Sequence, residues 1–365
     1  MKVALIADWL VSYGGAEEVM IALSEIFPDA PIYTSIYNSK KLPQFKDKKI
    51  ITSFLQNLPG AQTHHQYYWP LMPKAFASFD LSQYDLVISS CHSFAKGIKT
   101  LAKTFHVCYC YTPTRYLWFP EIDRRISGKS GLIFSLLAGR TKNWDKAAAS
   151  RVNQFIAISR TVQKRIKKVY NRDSYLIYSP IDISQFKLSQ KIGQYYLTGG
   201  RLIPYKRIDL VVKAFNRLGL PLKIMGSGPD LTRLKKLAKK NIEFLGFVSD
   251  AKRAELFSEC LAFIFPGEED LGLTPLEAMA SGRPVIAYGT GGAAETVIAT
   301  KTGELFKPQT VNVLVAKIKN FQPTKFKPQV CREWAEKFDV KIFKQKIKNY
   351  IEKEYNQFKK INKGE

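Results

Sequence analysis

The sequence predicts an α/β protein made of two doubly wound parallel-sheet domains of Rossmann-like type. Three observations carry that expectation. Short apolar runs alternate with longer amphipathic ones along the whole chain, the pattern of a parallel sheet with crossover helices. The length of 365 residues exceeds what one hydrophobic core fills, so two domains of roughly 150 to 200 residues are expected. Hydrophobic residues make up 45% and aromatic residues 13% of the chain, which supplies two packed cores and argues against disorder.

In the first half, KVALIAD (2–8), DLVISS (85–90), HVCYC (106–110) and QFIAIS (154–159) read as buried strands. AEEVMIALSEIF (16–27) reads as the first helix, with Val19, Leu23 and Phe27 on one face. In the second half YYLTGG, PLKIMG, IEFLG, LAFIFP and RPVIAY read as strands, with helices at 209–218, 229–240, 250–258, 275–281 and 292–298 between them. The stretch YSPIDISQF (178–186), carrying Pro180 and Asp182, marks the crossing and gives domains over 1–180 and 181–340. The basic helix over 341–365 has no strand partner in this pattern and is expected to pack back on the first domain. Ligands of open α/β sheets bind beyond the carboxyl ends of the strands. Two facing sheets would therefore make an interdomain cleft lined by residues that follow strands.

The 56 Lys and Arg against 31 Asp and Glu give a formal charge of +25, which implies an anionic partner: phosphorylated substrate, anionic lipid or nucleic acid. Much of the charge lies on SRTVQKRIKKVYNR (159–172) and KIFKQKIKNYIEKEYNQFKK (341–360). These are either solvated faces or a surface resting on anionic phospholipid, where each basic residue contributes about 1 kcal/mol. HHQYYWPLMPKAF (64–76) either packs on its own domain or docks interfacial aromatics on lipid or an acceptor sugar. The basic residues are spread over both domains and match no nucleic-acid reader motif, so no nucleic-acid partner is expected. Cys91, Cys108, Cys110, Cys260 and Cys331 are scattered and lack zinc or redox spacing, so reduced, buried thiols are expected. The start MKVALIADWL reads as a first strand rather than a signal peptide, and no apolar run reaches the roughly 20 residues of a membrane span. A cytoplasmic protein is expected, with the inner face of the plasma membrane as the surface a basic face would touch.

Candidate site residues follow strands. After YYLTGG, Arg201 and Lys206 stand in a strand-to-helix loop, where Pro204 delays the helix. Two such cations suit a diphosphate, each charge-assisted hydrogen bond contributing about 1.5–3 kcal/mol. After LAFIFP comes EEDLGLTPLEAMASG (268–282). Thr274, Pro275 and Glu277 fit a capping box, a role compatible with ligand contact by Glu277. Glu269 has no such structural duty and sits beside Gly272, where backbone approaches a ligand. The amides of Gly272, Leu273 and Thr274 open a helix and suit phosphate oxygens. In the first half, Gly14 and Gly15 precede a helix, which is either a turn or an anion site. His92 follows DLVISS and either faces a ligand or is a satisfied core residue. Asp8 ends the first strand, and Arg115 lies in YTPTRYLWFP (111–120). The four histidines lack metal-ligand spacing, so no protein-bound metal is expected. The chain lacks G-x-G-x-x-G and G-x-x-x-x-G-K-[ST], against a standard dinucleotide or P-loop site.

Taken in order, GGAEEV, GGRLIPYKRIDLVVKAF, MGSGPDL, EFLGFVSDAKRAELF and EEDLGLTPLEAMASGRPVIAYGTGGAAETV resemble the family-4 retaining glycosyltransferases of GT-B fold nearly end to end. The first-domain pattern FDLSQYDLVISSCHSFAKG and CYCYTPTRYLW looks most like bacterial mannosyltransferases that extend lipid-linked surface polysaccharides. The resemblance implies that Glu269 and Glu277 are the two acids of an E-x7-E motif, the first at the donor sugar and the second at the nucleotide ribose. It implies Arg201 and Lys206 at the diphosphate with Gly14 and Gly15 facing it, and Phe247 and Val248 beside the base. His92 would stand beside sugar and acceptor; Asp8 and Arg115, read from their own positions, lie on the same first-domain side, where a phosphorylated or glycosylated acceptor would sit. Leu271 replaces the Phe that the family often carries. Implied are retention, a nucleotide-sugar donor (GDP-mannose foremost), a glycan or lipid-linked acceptor, and no cofactor or metal. The rival readings are a nucleotide-sugar epimerase of the same fold, a basic nucleic-acid-binding protein, and an inactive relative.

Overall fold

Two parallel sheets, built as the apolar runs require, organise the protein. The structure is a computed structural model and describes residues 1–120, 129–191 and 193–363, the side chains of 129–137 and 363 excepted. The chain divides into two units, Met1–Ser179 with Phe343–Glu365, and Pro180–Ile342.

In the first unit the strands are β1 (Val3–Ala7), β2 (Ile32–Thr34), β3 (Ile50–Thr52), β4 (Leu86–Cys91), β5 (Phe105–Cys110), β6 (Gln154–Ala157) and β7 (Tyr175–Leu176), in the order β3-β2-β1-β4-β5-β6-β7. All pairs are parallel, with Leu5 opposite both Ile32 and Ile88. β4 and β5 are buried throughout. Coverage on both faces is why these strands read as unbroken apolar runs rather than alternating ones. The helix Gly15–Ile26 buries Val19 and Leu23, while Phe27 caps its end. The C-terminal helix Val340–Lys363 buries Phe343, Ile347, Tyr350 and Ile351. Its aromatic rings meet the first sheet: Phe343 lies 5.6 Å from Tyr109, Tyr350 stacks on Tyr175 at 4.5 Å, and Phe358 lies 4.9 Å from Phe105.

The second unit holds β8 (Tyr195–Gly199), β9 (Leu222–Met225), β10 (Ile242–Gly246), β11 (Cys260–Phe265), β12 (Val285–Tyr288) and β13 (Gly303–Phe306), in the order β10-β9-β8-β11-β12-β13. Each sheet reverses direction of growth once, between β1 and β4 and between β8 and β11. Such switch points open a crevice at the strands' carboxyl ends, so Asp8, His92, Lys206 and Glu269 all leave the strands that border one. All five cysteines are free and buried.

The differences from the sequence reading have local causes. Strands β2, β3, β7 and β13 went unread because two to four residues carry no usable periodicity. The helix expected over 229–240 is Leu231–Leu237. Asn216 ends it by donating to the Leu237 carbonyl (2.6 Å) and accepting from the Lys239 amide (2.9 Å). The helix expected over 292–298 is Ala293–Thr296, and Thr302 takes the Ile298 amide at 2.9 Å. Pro204 does not leave an open loop but starts a 3₁₀ turn, Pro204–Lys206, before the helix Ile208–Leu218.

His106 in β5 is fully buried, with Ser89 Oγ 2.9 Å from its Nε2. Burial, helped by the Arg151 charge, pushes its pKa from 6.5 down to about 3. The unfolded chain therefore takes up a proton near pH 6.5 that the fold refuses until about pH 3. This contribution to stability is complete above the unfolded value and lost as pH falls. It amounts to about 1.4 kcal/mol per pH unit, or about 2 kcal/mol at pH 5. Urea unfolding at pH 7 and pH 5 should show that loss in the wild type and a smaller one in His106→Gln. Identical pH dependence in the two proteins would remove His106 as its source.

Candidate functional site

In the second unit, Lys206 closes the 3₁₀ turn after β8 and Glu269 lies in the loop after β11. Because these strands are neighbours, the side chains meet: Lys206 Nζ lies 2.7 Å from Glu269 Oε1, with the two side chains 14% and 19% exposed. The contact has ion-pair distance without the alignment of a hydrogen bond. Two glycines let the backbone come this close. A Cβ on Gly267 would stand 3.0 Å from Lys206 Cα. Gly291, at φ +69°, would place a Cβ 2.5 Å from the Glu269 carbonyl oxygen, which accepts from the Gly292 amide at 2.8 Å. The loop after β11 is thus packed backbone to backbone against the Lys206 turn on one side and the loop after β12 on the other, with no room for a side chain between them.

The expected capping box does not form. The helix is Leu273–Ala280 with Gly272 as its N-cap, and no side chain caps it. The helix starts too early for Thr274 to cap, which leaves Glu277 inside it and free of capping duty. Glu277 is buried and faces Arg253 of the helix Asp250–Glu259, with Oε2 3.6 Å from Arg253 Nε. Burial pushes the Glu277 pKa up. Arg253 and Lys206 pull it back, and Asp250 adds to the rise. Glu269, Lys206, Glu277, Arg253 and Asp250 therefore form a row of alternating charge. The amides at the start of the Leu273–Ala280 helix lack intrahelical partners, as in any helix, and lie between the two glutamates in sequence. Arg201 is exposed in the loop after β8, outside the ion pair. Phe247 is 85% exposed and Val248 half-buried after β10, a strand separated from β8 by β9. Leu271 is buried, its backbone against Gly292.

In the first unit, Asp8 is buried at the end of β1 and is fully used. Its Oδ2 accepts from the amides of His92 (2.7 Å) and Ser93 (3.0 Å), its Oδ1 from those of Phe94 (2.5 Å) and Ala95 (2.6 Å). His92 Nδ1 lies 2.9 Å from Oδ2. Burial alone would raise the Asp8 pKa, but His92 and the backbone amides outweigh it and hold the carboxyl below its usual range. Asp8 thus anchors the turn that carries His92, and its oxygens are turned inward rather than toward an acceptor. His92 is one-third exposed, edge-on to Trp9 at 4.5 Å. With Nδ1 committed to Asp8, Nε2 meets no hydrogen-bond partner among the described residues. Gly14 caps the helix Gly15–Ile26, whose first turn holds Glu17 and Glu18, and Glu17 Oε2 would stand 3.4 Å from a Gly14 Cβ. That helix start already faces the Glu17 carboxylate. Arg115 is half-buried at the start of the helix Arg115–Trp118.

Sequence reasoning missed a second anchor under the same turn. Lys96, buried, pairs with buried Asp145 at 2.6 Å and donates to the Ser93 carbonyl at 2.6 Å. Asp145 also accepts from Thr114, Trp118 and Tyr170 at 3.0, 2.7 and 2.7 Å. Arg253 was missed too, since one Arg among 56 basic residues carries no mark of its partner. Among the described residues no group of three or more His, Cys, Asp or Glu has the disposition to hold a metal ion, and no helix is long and apolar enough to cross a membrane.

Residues 182–338 match the family model for glycosyl transferases group 1. The second unit thus carries the match to group 1 glycosyl transferases. A GDP-mannose-dependent alpha-mannosyltransferase of Mycolicibacterium smegmatis is 31% identical over 144 residues, 37% of this chain and 38% of that protein. The O-antigen chain mannosyltransferase RfbU of Salmonella typhimurium is 25% identical over 222 residues, 56% of this chain and 61% of that protein. The chain spans about half the length of the curated relatives it matches. HepE of Anabaena, solved with UDP-glucose, superposes with a TM-score of 0.74 at 21% identity, covering 97% of this chain and 100% of that one. The protein has the GT-B fold and resembles the family-4 mannosyltransferases.

Replacing Asp8 by Asn keeps its shape but removes the charge and one acceptor side from a set of five contacts. Each bond to a charged group contributes about 1.5–3 kcal/mol. Asp8→Asn should therefore destabilise the protein by about 2 kcal/mol or more at pH 7 in urea unfolding. Unchanged stability would show that the turn does not need this carboxylate.

Proposed function

We propose that the protein transfers a hexose, with retention and without a metal ion, from a nucleotide diphosphate sugar to a hydroxyl of a glycan or lipid-linked acceptor. GDP-mannose is the proposed donor, supported by the mannosyltransferase relatives. The observation that carries the proposal is the Lys206–Glu269 pair at the switch point of a glycosyltransferase domain, 2.7 Å apart and largely shielded. As the anomeric C–O bond breaks, negative charge grows on the departing diphosphate. Lys206, Arg201 and the amides of Gly272, Leu273 and Thr274 would stabilise that charge more in the transition state than in the ground state. Fixed protein charges would then do what a divalent cation does at other diphosphate sites.

Glu269 would accept hydrogen bonds from the sugar hydroxyls while holding Lys206 in place, and Glu277 would accept from the ribose. Phe247 and Val248 would border the base. The acceptor oxygen forms the new bond on the face the diphosphate leaves, and its proton passes to the leaving phosphate oxygen. On the acceptor side, His92 offers Nε2 because Asp8 fixes Nδ1, and Arg115 would meet an anionic or glycosylated acceptor. The basic faces and the segment His65–Leu71, in which no residue is buried, suit peripheral contact with an anionic membrane, where a lipid-linked acceptor resides.

Incubating the protein with GDP-mannose, UDP-glucose and candidate acceptors should yield an α-linked product by NMR without added metal. Lys206→Ala should lower turnover by about 100-fold or more with an unchanged circular dichroism spectrum. Near-normal transfer by that variant, or an inverted product, would overturn the proposal.

A further inference from the structure

Arg253 belongs to no contact the proposed chemistry uses, yet it is placed as though it did. It projects from the helix Asp250–Glu259, which Ser249 caps by accepting from the Lys252 amide at 3.3 Å. In a chain of +25 charge an Arg on an amphipathic helix is ordinarily solvated. Arg253 is 24% exposed, and its Nε is buried with no hydrogen-bond partner among the described residues. Its neighbours are two carboxylates, Asp250 at 3.2 Å from Nη1 and Glu277 at 3.6 Å from Nε. Two other charges act on Glu277: Asp250, which disfavours its ionisation, and Lys206, which favours it and is already paired with Glu269. On the remaining side the helix Pro328–Glu336 packs against Leu273–Ala280, but its Arg332 is taken up by the Ala280 carbonyl and Glu336.

A buried carboxylate without a cation takes up a proton instead of paying for desolvation. A protonated carboxyl is a donor on one oxygen and a poor partner for a vicinal diol, whose two O–H groups need two acceptors. We propose that Arg253 is a positioning residue that keeps Glu277 ionised and oriented as a two-oxygen acceptor for the ribose diol of a nucleoside diphosphate. The proposal rests on the donor reading given above and adds to it the residue that sets the pH range of nucleotide binding. Two cations act on Glu277: Lys206, which is paired with Glu269, and Arg253, whose other carboxylate neighbour is Asp250 of its own helix. Lys206 holds Glu269, so its removal would disturb both glutamates, whereas removal of Arg253 acts on Glu277 through one helix.

Calorimetric titration with GDP and with UDP between pH 5.5 and 8 tests this, using the wild type, Arg253→Gln, Arg253→Lys and Glu277→Gln. An adjacent opposite charge lowers a carboxyl pKa by about one to three units. In Arg253→Gln the pH at which nucleotide affinity is half lost should rise by about one unit or more, with affinity recovering toward wild type at pH 8. Arg253→Lys should restore most of the wild-type profile, which a general loss of packing would not allow. If Glu277→Gln loses affinity while Arg253→Gln follows the wild-type profile, the role of Arg253 is overturned and the donor reading stands. If Glu277→Gln binds as the wild type does, or if the wild type binds neither nucleotide, both fall together.

Discussion

The Lys206–Glu269 ion pair is the constraint on which the charged row of the second unit depends. A lone lysine would swing on a flexible stem, whereas Glu269 Oε1 stands 2.7 Å from Lys206 Nζ. Each fixes the other, at a place where two neighbouring strands end and two loops touch through glycine. Gly267 and Gly291 matter because a methyl on the first would meet the Lys206 backbone and a methyl on the second the Glu269 carbonyl. The pair also sets the sign of its surroundings. With Lys206 shared between Glu269 and Glu277, the second glutamate needs Arg253 as well, and the alternating row follows from that need.

The first unit solves a similar problem with different means. There the buried Asp8 carboxylate gathers four backbone amides and the His92 ring, so a turn of backbone is organised around one charge. Lys96 and Asp145 brace the same turn from within the core. Such networks hold only when every member is satisfied. That is why the turn bearing His92 has an ordered frame, though the His92 ring itself is one-third exposed. In both units the charges sit at the switch point of a sheet, where the fold supplies a crevice and helix starts without added strain.

Much of this was legible in the sequence. Long central strands such as β1, β4, β5 and β11 are buried on both faces and announce themselves as apolar runs. Strands that end in polar or glycine-rich loops point to their own carboxyl ends, so Glu269, Lys206 and His92 could be named before any coordinates. What the sequence hid depends on distance in space. Edge strands of two or three residues have no period. Thr274 and Glu277 had the spacing of a capping box, but the Leu273–Ala280 helix begins one residue before Thr274. Asp8 looked like an acceptor-side acid because its four amide partners lie more than eighty residues away. Arg253 looked like one more surface cation because its partner comes from a different helix.

The central claim is that Lys206, held in place by Glu269, meets the pyrophosphate of a sugar nucleotide whose sugar hydroxyls Glu269 accepts. A crystal structure of the protein soaked with GDP-mannose tests it most directly. The account predicts phosphate oxygens within hydrogen-bond distance of Lys206 Nζ and of the amides that open the Leu273–Ala280 helix, with the sugar hydroxyls on Glu269. A diphosphate bound elsewhere, with the Lys206–Glu269 pair intact and untouched by ligand, would contradict it.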